Sequence, residues 1–265
     1  MAPSRTRRWR SCCASSRVLR PFLTAHERYI AMLSYRADPA LVKPYIPTEV
    51  ELDLYGGEMF LSLVAFLSLE TRLPLFSNLK QTNFERIDLR FNVRRKSADT
   101  WRRGISFVRR ILPKAVASGM ARAFPTEIAS GSPLKSDIVD CDNTINVNYS
   151  WKCATKWRSL QMCAAGTPRA IPAGTFEDYL LERNWYFGEF RRGCSEYRVE
   201  RPRWRVWEVS CANLDHDINK LFPEEFAQLL SRPPALQLLA EGSHVQLWRK
   251  ADDPILIDAM LAARK

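Results

Sequence analysis

Apolar and polar residues alternate most clearly between Phe84 and Arg95. The apolar side of this segment consists of Ile87, Leu89, Phe91 and Val93. The polar side consists of Arg86, Asp88, Arg90 and Asn92. A period of two predicts a β-strand with one buried face. The polar side combines an acid and an amide with two guanidinium groups, a set able to hold a small anionic or carbonyl ligand.

Two interpretations of this polar side stay open. It is either the outer surface of a sheet, where ion pairs contribute only about 0.2–1 kcal/mol each, or the lining of a cavity. The second interpretation requires the sheet to close into a wide barrel.

Turn residues arrange this strand and others into hairpins. The strand 84–95 is predicted to turn through 96–100 and to return along 104–112. Gly56-Gly57 predicts a hairpin between 50–55 and 58–70, because glycine readily adopts positive φ angles. Further strands are predicted at 28–37, 143–152, 155–163, 184–190, 194–200, 203–210 and 243–249. Short turns between most strands favour an α+β fold with an antiparallel, barrel-like sheet.

Helices are predicted at the periphery of this sheet. Asp38-Pro39 is typical of a helix start, with Asp38 as the N-cap. Other helices are predicted near 114–124, 175–183 and 215–231. Residues 21–250 are predicted to form a single domain. An arginine-rich extension at 1–20 is predicted to be disordered, and 251–265 is predicted to form a C-terminal helical tail.

Charge and hydropathy indicate which classes of binding partner to expect. The net charge of +11 suggests nucleic-acid binding, but six arginines lie within residues 1–20. The remaining excess is mild, so we expect no nucleic-acid partner. The longest apolar stretch, 59–69, is shorter than the roughly 20 residues of a membrane span. We therefore expect a core strand there and no membrane partner.

The cysteines argue against a metal site. None of the seven forms a Cys-x-x-Cys pair or a metal-type spacing with the three histidines. The odd count predicts free thiols in a reducing compartment, and hence a cytoplasmic location. An organelle is the alternative if residues 1–20 are a transit peptide. Because the chain has no glycine-rich phosphate loop, we predict no cofactor.

Lys114 is the candidate catalytic residue. It follows Pro113 at the start of a predicted helix, where the helix dipole destabilises an ammonium group. Partial burial would add to this effect. A lysine in such a position can form a Schiff base with a carbonyl compound. The alternative is a solvated lysine at a helix start.

Several segments carry a resemblance to a known family. They include Asp38-Pro39-Ala40-Leu41, Glu51-Leu52-Asp53-Leu54-Tyr55-Gly56-Gly57, Trp101-Arg102-Arg103-Gly104 and Pro202-Arg203-Trp204-Arg205-Val206-Trp207. From about residue 22 to 249, the chain resembles the YqjF-like family of uncharacterised proteins (domain of unknown function 2071). That family is similar in fold to acetoacetate decarboxylase. The resemblance therefore implies a cone-like β-barrel that encloses a pocket, but no particular activity.

The chain departs from the family in two places. Along 84–95 the family pattern reads acid, apolar, Asn, apolar, Arg, any residue, Tyr. Here only Arg90 matches, while Arg86, Asp88 and Asn92 replace the acid, the Asn and the Tyr. The decarboxylase carries its Schiff-base lysine in a Pro-Lys-Lys segment, whereas Lys114 is followed by alanine.

These features predict a protein that binds a small keto acid or another carboxylate in a barrel cavity. Arg90 would hold the carboxylate through two parallel hydrogen bonds. Asp88 would orient Arg90 or accept a ligand hydroxyl, and Arg86 would add positive potential. If a reaction follows, Lys114 would make the protein a decarboxylase-like or other lyase. The competing hypothesis is a non-enzymatic ligand-binding or structural protein that has lost its ancestral chemistry.

Overall fold

A computed structural model gives the fold of the chain. It describes residues 21–249 except 74–81, 98–99, 124–128, 142, 191–192 and 216–220. The expectations for residues 1–20 and 251–265 lie outside the described residues. Across the part that is described, no helix is both long enough and apolar enough to cross a membrane.

Seven strands form a closed ring. They are β1 (Leu23–Ala37), β3 (Met59–Arg72), β4 (Phe84–Ser97), β5 (Thr100–Leu112), β10 (Trp185–Phe190), β11 (Gly193–Glu200) and β13 (Leu236–Arg249). Their order around the ring is β1–β3–β4–β5–β10–β11–β13, and β13 pairs again with β1. Neighbours are antiparallel except β5 and β10, which meet in parallel at one residue pair, Ile105 and Tyr186. The ring confirms the predicted antiparallel, barrel-like sheet.

A second layer of strands continues from β13. It consists of β12 (Arg205–Leu214), β9 (Lys156–Ala170), β8 (Thr144–Cys153) and β7 (Leu134–Cys141), each antiparallel to the next. Two short strands, β2 (Glu51–Leu52) and β6 (Ala129–Gly131), pair with β4 and β5.

The helices are short and lie outside the ladders, as predicted. They are α1 (Lys114–Ala123), α2 (Phe176–Leu181) and α3 (Glu224–Leu230), with two 3-10 turns at Pro39–Leu41 and Lys43–Tyr45. Asp38 caps the first 3-10 turn, since its Oδ1 accepts from the Ala40 N–H at 2.8 Å.

One of the two predicted hairpins is wrong. β4 and β5 pair as expected, up to Ser97 opposite Thr100. The segment 50–55, however, does not pair along 58–70, because both edges of β3 are occupied by β1 and β4. β2 instead pairs with the end of β4, where Glu51 lies opposite Arg94. Only the tight turn at Gly56 and Gly57 forms as predicted, with φ angles of 59° and 83°.

Alternation along β4 divides its side chains between two apolar cores. Ile87, Leu89 and Phe91 face outward into a core shared with the second layer of strands. The other core lies inside the ring and includes Val64 of β3 and Leu238 of β13. The ring interior is therefore the side that receives the polar residues of β4.

A bulge in β1 decides which of its residues face the interior. Tyr29 has a φ of 52°, and the pairing with β3 slips by one residue between Arg28 and Ala31. One extra residue reverses the alternation of side chains along a strand. As a result, Glu27 before the bulge and Ile30 after it both face inward.

Two residues from other strands hold this bulge. Gly242 of β13 lies opposite Arg28 and has a φ of 80°. A Cβ atom at Gly242 would lie 1.9 Å from the Glu27 carbonyl oxygen, so the two backbones approach too closely for any side chain. Tyr149 of β8 donates its hydroxyl to the carbonyl of Tyr29 at 2.7 Å. The backbone around Glu27 is thus fixed from both layers.

Two of the cysteines form a disulfide where the sequence predicted free thiols. Cys163 of β9 and Cys211 of β12 are opposite each other, with a Cα–Cα distance of 5.0 Å, and form a disulfide. The free-thiol prediction is wrong for this pair, and the cysteine count no longer argues for a reducing compartment. The two residues are 48 positions apart, so only the strand order could reveal their pairing. Cys141, Cys153 and Cys194 are free.

Candidate functional site

The polar side of β4 lies inside the ring and not on the outer surface of the sheet, and of its four residues Arg86 lines a cavity. Asp88, Arg90 and Asn92 are 1%, 8% and 5% exposed. Arg86 lies on the same wall with only 11% of its side chain exposed. A charged wall in a closed ring is unusual, because buried charges are unfavourable unless they are paired.

Asp88 pairs with two arginines. Arg86 donates from Nε to Asp88 Oδ1 at 2.9 Å, and its Nη2 lies 2.6 Å from Oδ2. Arg110 of β5 approaches from the other side, with Nε 3.6 Å from Oδ1. Burial has the largest single effect and lowers the pKa of Arg86, but the charge and hydrogen bond of Asp88, together with the charges of Glu27 and Tyr186, outweigh it and raise the pKa. Arg86 is therefore committed to Asp88 as a fixed ion pair.

Arg90 is the exception on this wall. Among the described residues, no carboxylate forms an ion pair with its guanidinium. Burial lowers the pKa of Arg90, and the charges of Tyr186, Asp88 and Glu27 only partly oppose that effect. The guanidinium is thus a buried cation whose hydrogen-bonding fork is available for an anion.

Glu27 joins this wall from β1, and the sequence analysis missed it. It is 6% exposed, and burial raises its pKa, an effect that Arg86, Arg201 and Arg90 partly oppose. Alternation along 28–37 gave no reason to turn Glu27 inward, because the bulge at Tyr29 has no signature in the sequence. Tyr186 of β10 is also nearby, and burial raises its pKa to about 12.

A small cavity lies beside Glu27, Arg86 and Tyr186, and Asp88 and Arg90 are not among the residues that line it. Its polar wall is formed by Glu27, Arg86, Arg110, Tyr186, Ser68 and Thr71. The space is about 20 Å³, enough for a water molecule. A keto acid is larger, so its binding requires at least one wall side chain to rotate away.

Asn92 has a different partner from the rest of its strand face. Its Nδ2 donates to the Tyr179 carbonyl of α2 at 3.0 Å. The hydroxyl of Tyr179 in turn donates to the carbonyl of Asp53, whose carboxylate pairs with Arg183 at 2.6 Å. This contact gives Asn92 a structural role in anchoring α2, and its predicted ligand contact stays a prediction.

Lys114 does not lie with the charged wall. It begins α1 as predicted, but its side chain is exposed. The partial burial that the Schiff-base hypothesis required is therefore missing. All the other described lysines are exposed as well: Lys43, Lys96, Lys135, Lys152 and Lys156.

Metal ligation finds no support in the described part of the chain. Its residues contain no group of three or more His, Cys, Asp or Glu side chains that could hold a metal ion. The charged wall is rich in guanidinium groups, which are donors only and do not bind cations. Its chemistry suits anions.

Comparison with known protein families assigns the chain to a family. The family model of the uncharacterized conserved protein DUF2071 (COG2071) matches residues 24–244. None of the curated proteins matches the chain.

Several solved structures have the same architecture. Acetoacetate decarboxylase from Legionella pneumophila has a TM-score of 0.59 at 13% identity, covering 87% of this chain and 86% of its own. An acetoacetate decarboxylase-like enzyme from Sphingomonas wittichii RW1 has a TM-score of 0.54 at 12% identity, covering 86% and 91%. The enduracididine biosynthesis enzyme MppR, complexed with pyruvate, has a TM-score of 0.54 at 9% identity, covering 89% and 91%. Identities this low show a common fold alone.

Proposed function

Because this chain belongs to the DUF2071 family and has the fold of acetoacetate decarboxylase, we propose that it binds a small keto acid or another small carboxylate inside the ring. The observation that carries this proposal is Arg90, a buried guanidinium that forms no ion pair with any described residue. A buried charge of this kind is unfavourable until an anion pairs with it. The similarly folded MppR is complexed with pyruvate, which is a small keto acid.

The neighbouring charges give each residue a separate role. Arg90 binds the ligand carboxylate through two parallel hydrogen bonds. Asp88 holds Arg86 in place and keeps the wall from accumulating excess positive charge. Arg86 adds positive potential toward the cavity that it lines.

We expect Arg90→Met to weaken pyruvate binding by about 10–100-fold, because hydrogen bonds to charged groups contribute about 1.5–3 kcal/mol. Isothermal titration calorimetry with pyruvate and with acetoacetate measures this loss. Arg90→Lys should recover only part of the affinity, since lysine keeps the charge but not the planar fork.

Arg36→Met is the matched control for this experiment. The Arg36 side chain is 68% exposed in a surface pair with Glu58, so its removal should leave the affinity unchanged. Equal affinity of Arg90→Met and wild type would exclude Arg90 as the anchor. A wild-type protein that binds neither acid would refute the proposed function.

A second possibility is that binding occurs without catalysis. The exposure of every described lysine favours it, because a Schiff base inside the ring needs an amine there. Lys114 remains the only candidate amine that the sequence analysis named for a decarboxylase-like or other lyase.

We expect sodium borohydride to leave no reduced adduct on Lys114 in the presence of pyruvate or acetoacetate. The reason is that Lys114 is exposed and does not lie with the charged wall that would hold the keto acid. Mass spectrometry of the digested protein provides the measurement. An adduct on Lys114 that is absent from Lys114→Ala would establish the Schiff-base route instead.

A further inference from the structure

We propose that the carboxyl group of Glu27 transfers a proton to and from the carbon beside the carbonyl of a keto acid held by Arg90. The inference rests on the proposed function, because the ligand must first be anchored through its carboxylate. It adds a reaction, keto–enol proton exchange, and a residue that the sequence comparison does not indicate.

The position of Glu27 fits this role. Its carboxyl lines the cavity beside Arg86 and Tyr186 and is 6% exposed. Within the described residues it forms neither an ion pair nor a side-chain hydrogen bond, although Arg86 and Arg90 are close enough to influence its charge. A purely structural buried glutamate would be expected to have a partner.

Glu27 and Arg90 thus form an unusual combination. They are opposite in charge and both buried, yet they do not pair with each other, and Arg86 is engaged by Asp88. A ligand with a carboxylate at one end and an acidic C–H bond at the other would satisfy both groups. An α-keto acid such as pyruvate has this structure.

The strand register places Glu27 close to Arg86. Glu27 lies opposite Ser68 of β3, and Ser68 lies opposite Phe84 of β4, two residues from Arg86. The carboxyl group of Glu27 therefore lies at nearly the same level of the ring as Arg86, on a strand two positions away.

The proposed step is balanced without any further reactant. The ionised carboxylate of Glu27 takes a proton from C3 of the keto acid, and the electrons of that C–H bond form the C2–C3 double bond. The carbonyl oxygen becomes an enolate oxygen, which nearby guanidinium charge stabilises. Return of the proton to C3 regenerates the keto acid, and exchange of the carboxyl proton with water makes the cycle visible in deuterium oxide.

The environment of the Glu27 carboxyl supports its role as a general base. Burial raises the pKa of Glu27 above its usual value. A general base works best when its pKa is close to the working pH, because it is then both ionised and strongly basic. An exposed glutamate would be a weaker base.

The test follows loss of the C3 proton signal of pyruvate in deuterium oxide by NMR. We expect wild-type protein to accelerate exchange over buffer, and Glu27→Gln to slow it by about 100-fold or more. Pyruvate affinity of Glu27→Gln should stay within about threefold of wild type, because Arg90 is intact. Glu27→Asp should retain part of the rate, and the exposed control Glu58→Gln should retain all of it.

The pH dependence gives a second readout, which a merely structural residue would not change. The wild-type exchange rate should rise with pH as Glu27 ionises, with a midpoint above the usual carboxyl pKa. Glu27→Gln should also melt at a higher temperature than wild type, by a margin that grows as the pH rises. The raised pKa means that the folded state favours the neutral acid, so wild type loses stability as Glu27 must ionise. At acidic pH, where both side chains are neutral, the two proteins should melt together.

The outcomes separate this inference from the proposed function. Exchange by Glu27→Gln at the wild-type rate overturns the role of Glu27. Pyruvate binding without exchange by wild type overturns the inference and leaves the proposed function intact. Absence of pyruvate binding overturns the inference, and absence of acetoacetate binding as well overturns the proposed function.

Discussion

Replacing Asp88 by asparagine is expected to lower the free energy of unfolding by about 3–5 kcal/mol. The carboxylate of Asp88 is 1% exposed and forms the shared anion between Arg86 and Arg110. Asparagine has nearly the same shape but no charge, so it leaves Arg86 buried without its counter-ion. Urea unfolding at neutral pH, followed by circular dichroism, measures the change.

The surface pair between Arg36 and Glu58 provides the comparison for Asp88. Its atoms are 2.9 Å apart, but the side chains are 68% and 40% exposed. Glu58→Gln should therefore change the free energy of unfolding by no more than about 1 kcal/mol. A loss for Asp88→Asn as small as that for Glu58→Gln would show that the charged wall is solvated, contrary to the burial described above.

Replacing Gly242 by alanine is expected to destabilise the protein by about 3 kcal/mol or more, through two separate effects. The φ of 80° disfavours any residue with a Cβ atom, and that atom would lie 1.9 Å from the Glu27 carbonyl oxygen. The β1 backbone would have to move, which would also displace the Glu27 carboxyl. Thermal and urea unfolding measure the first consequence, and the pyruvate exchange rate measures the second.

Gly174 isolates the contribution of the close contact. Its φ is 81°, almost the same as that of Gly242, yet a Cβ atom there would meet nothing within 4 Å. Gly174→Ala should therefore lose only the conformational part, about 1–2 kcal/mol. Equal losses for the two variants would mean that β1 and β13 can separate at the bulge without strain.

The local sequence pattern predicted the positions of the strands better than it predicted which strands pair with each other. Alternation and turn residues identified the hairpin of β4 and β5, because both signals lie within one short stretch of chain. The segment around Glu51 alternates as well, but its partner is decided by which strand edge is free. Closure of the ring between β1 and β13 joins distant parts of the chain, and no local signal specifies that contact.

In the candidate site, too, the sequence predicted what depends on one strand and missed what depends on distant parts of the chain. The pattern in β4 brought Arg86, Asp88 and Arg90 to one face, and the structure places that face inside the ring. It could not indicate that Asn92 would bind the backbone of α2, since that partner comes from a separate part of the chain. It also could not include Glu27, because a single extra residue in β1 reverses which side chains face inward.

The parallel contact between β5 and β10 has a consequence for how a small molecule reaches the interior. Ile105 and Tyr186 are the only pair in the described ladder between these two strands, and the Ser106 hydroxyl adds a hydrogen bond to the Phe187 carbonyl at 3.0 Å. Neighbouring strands elsewhere in the ring pair through at least four residue pairs, so this contact is the weakest ladder of the described ring. Tyr186 also belongs to the cavity wall. If β5 and β10 separate, the phenol ring of Tyr186 moves with them. Entry of a small molecule by this route would therefore change the shape of the cavity that binds it.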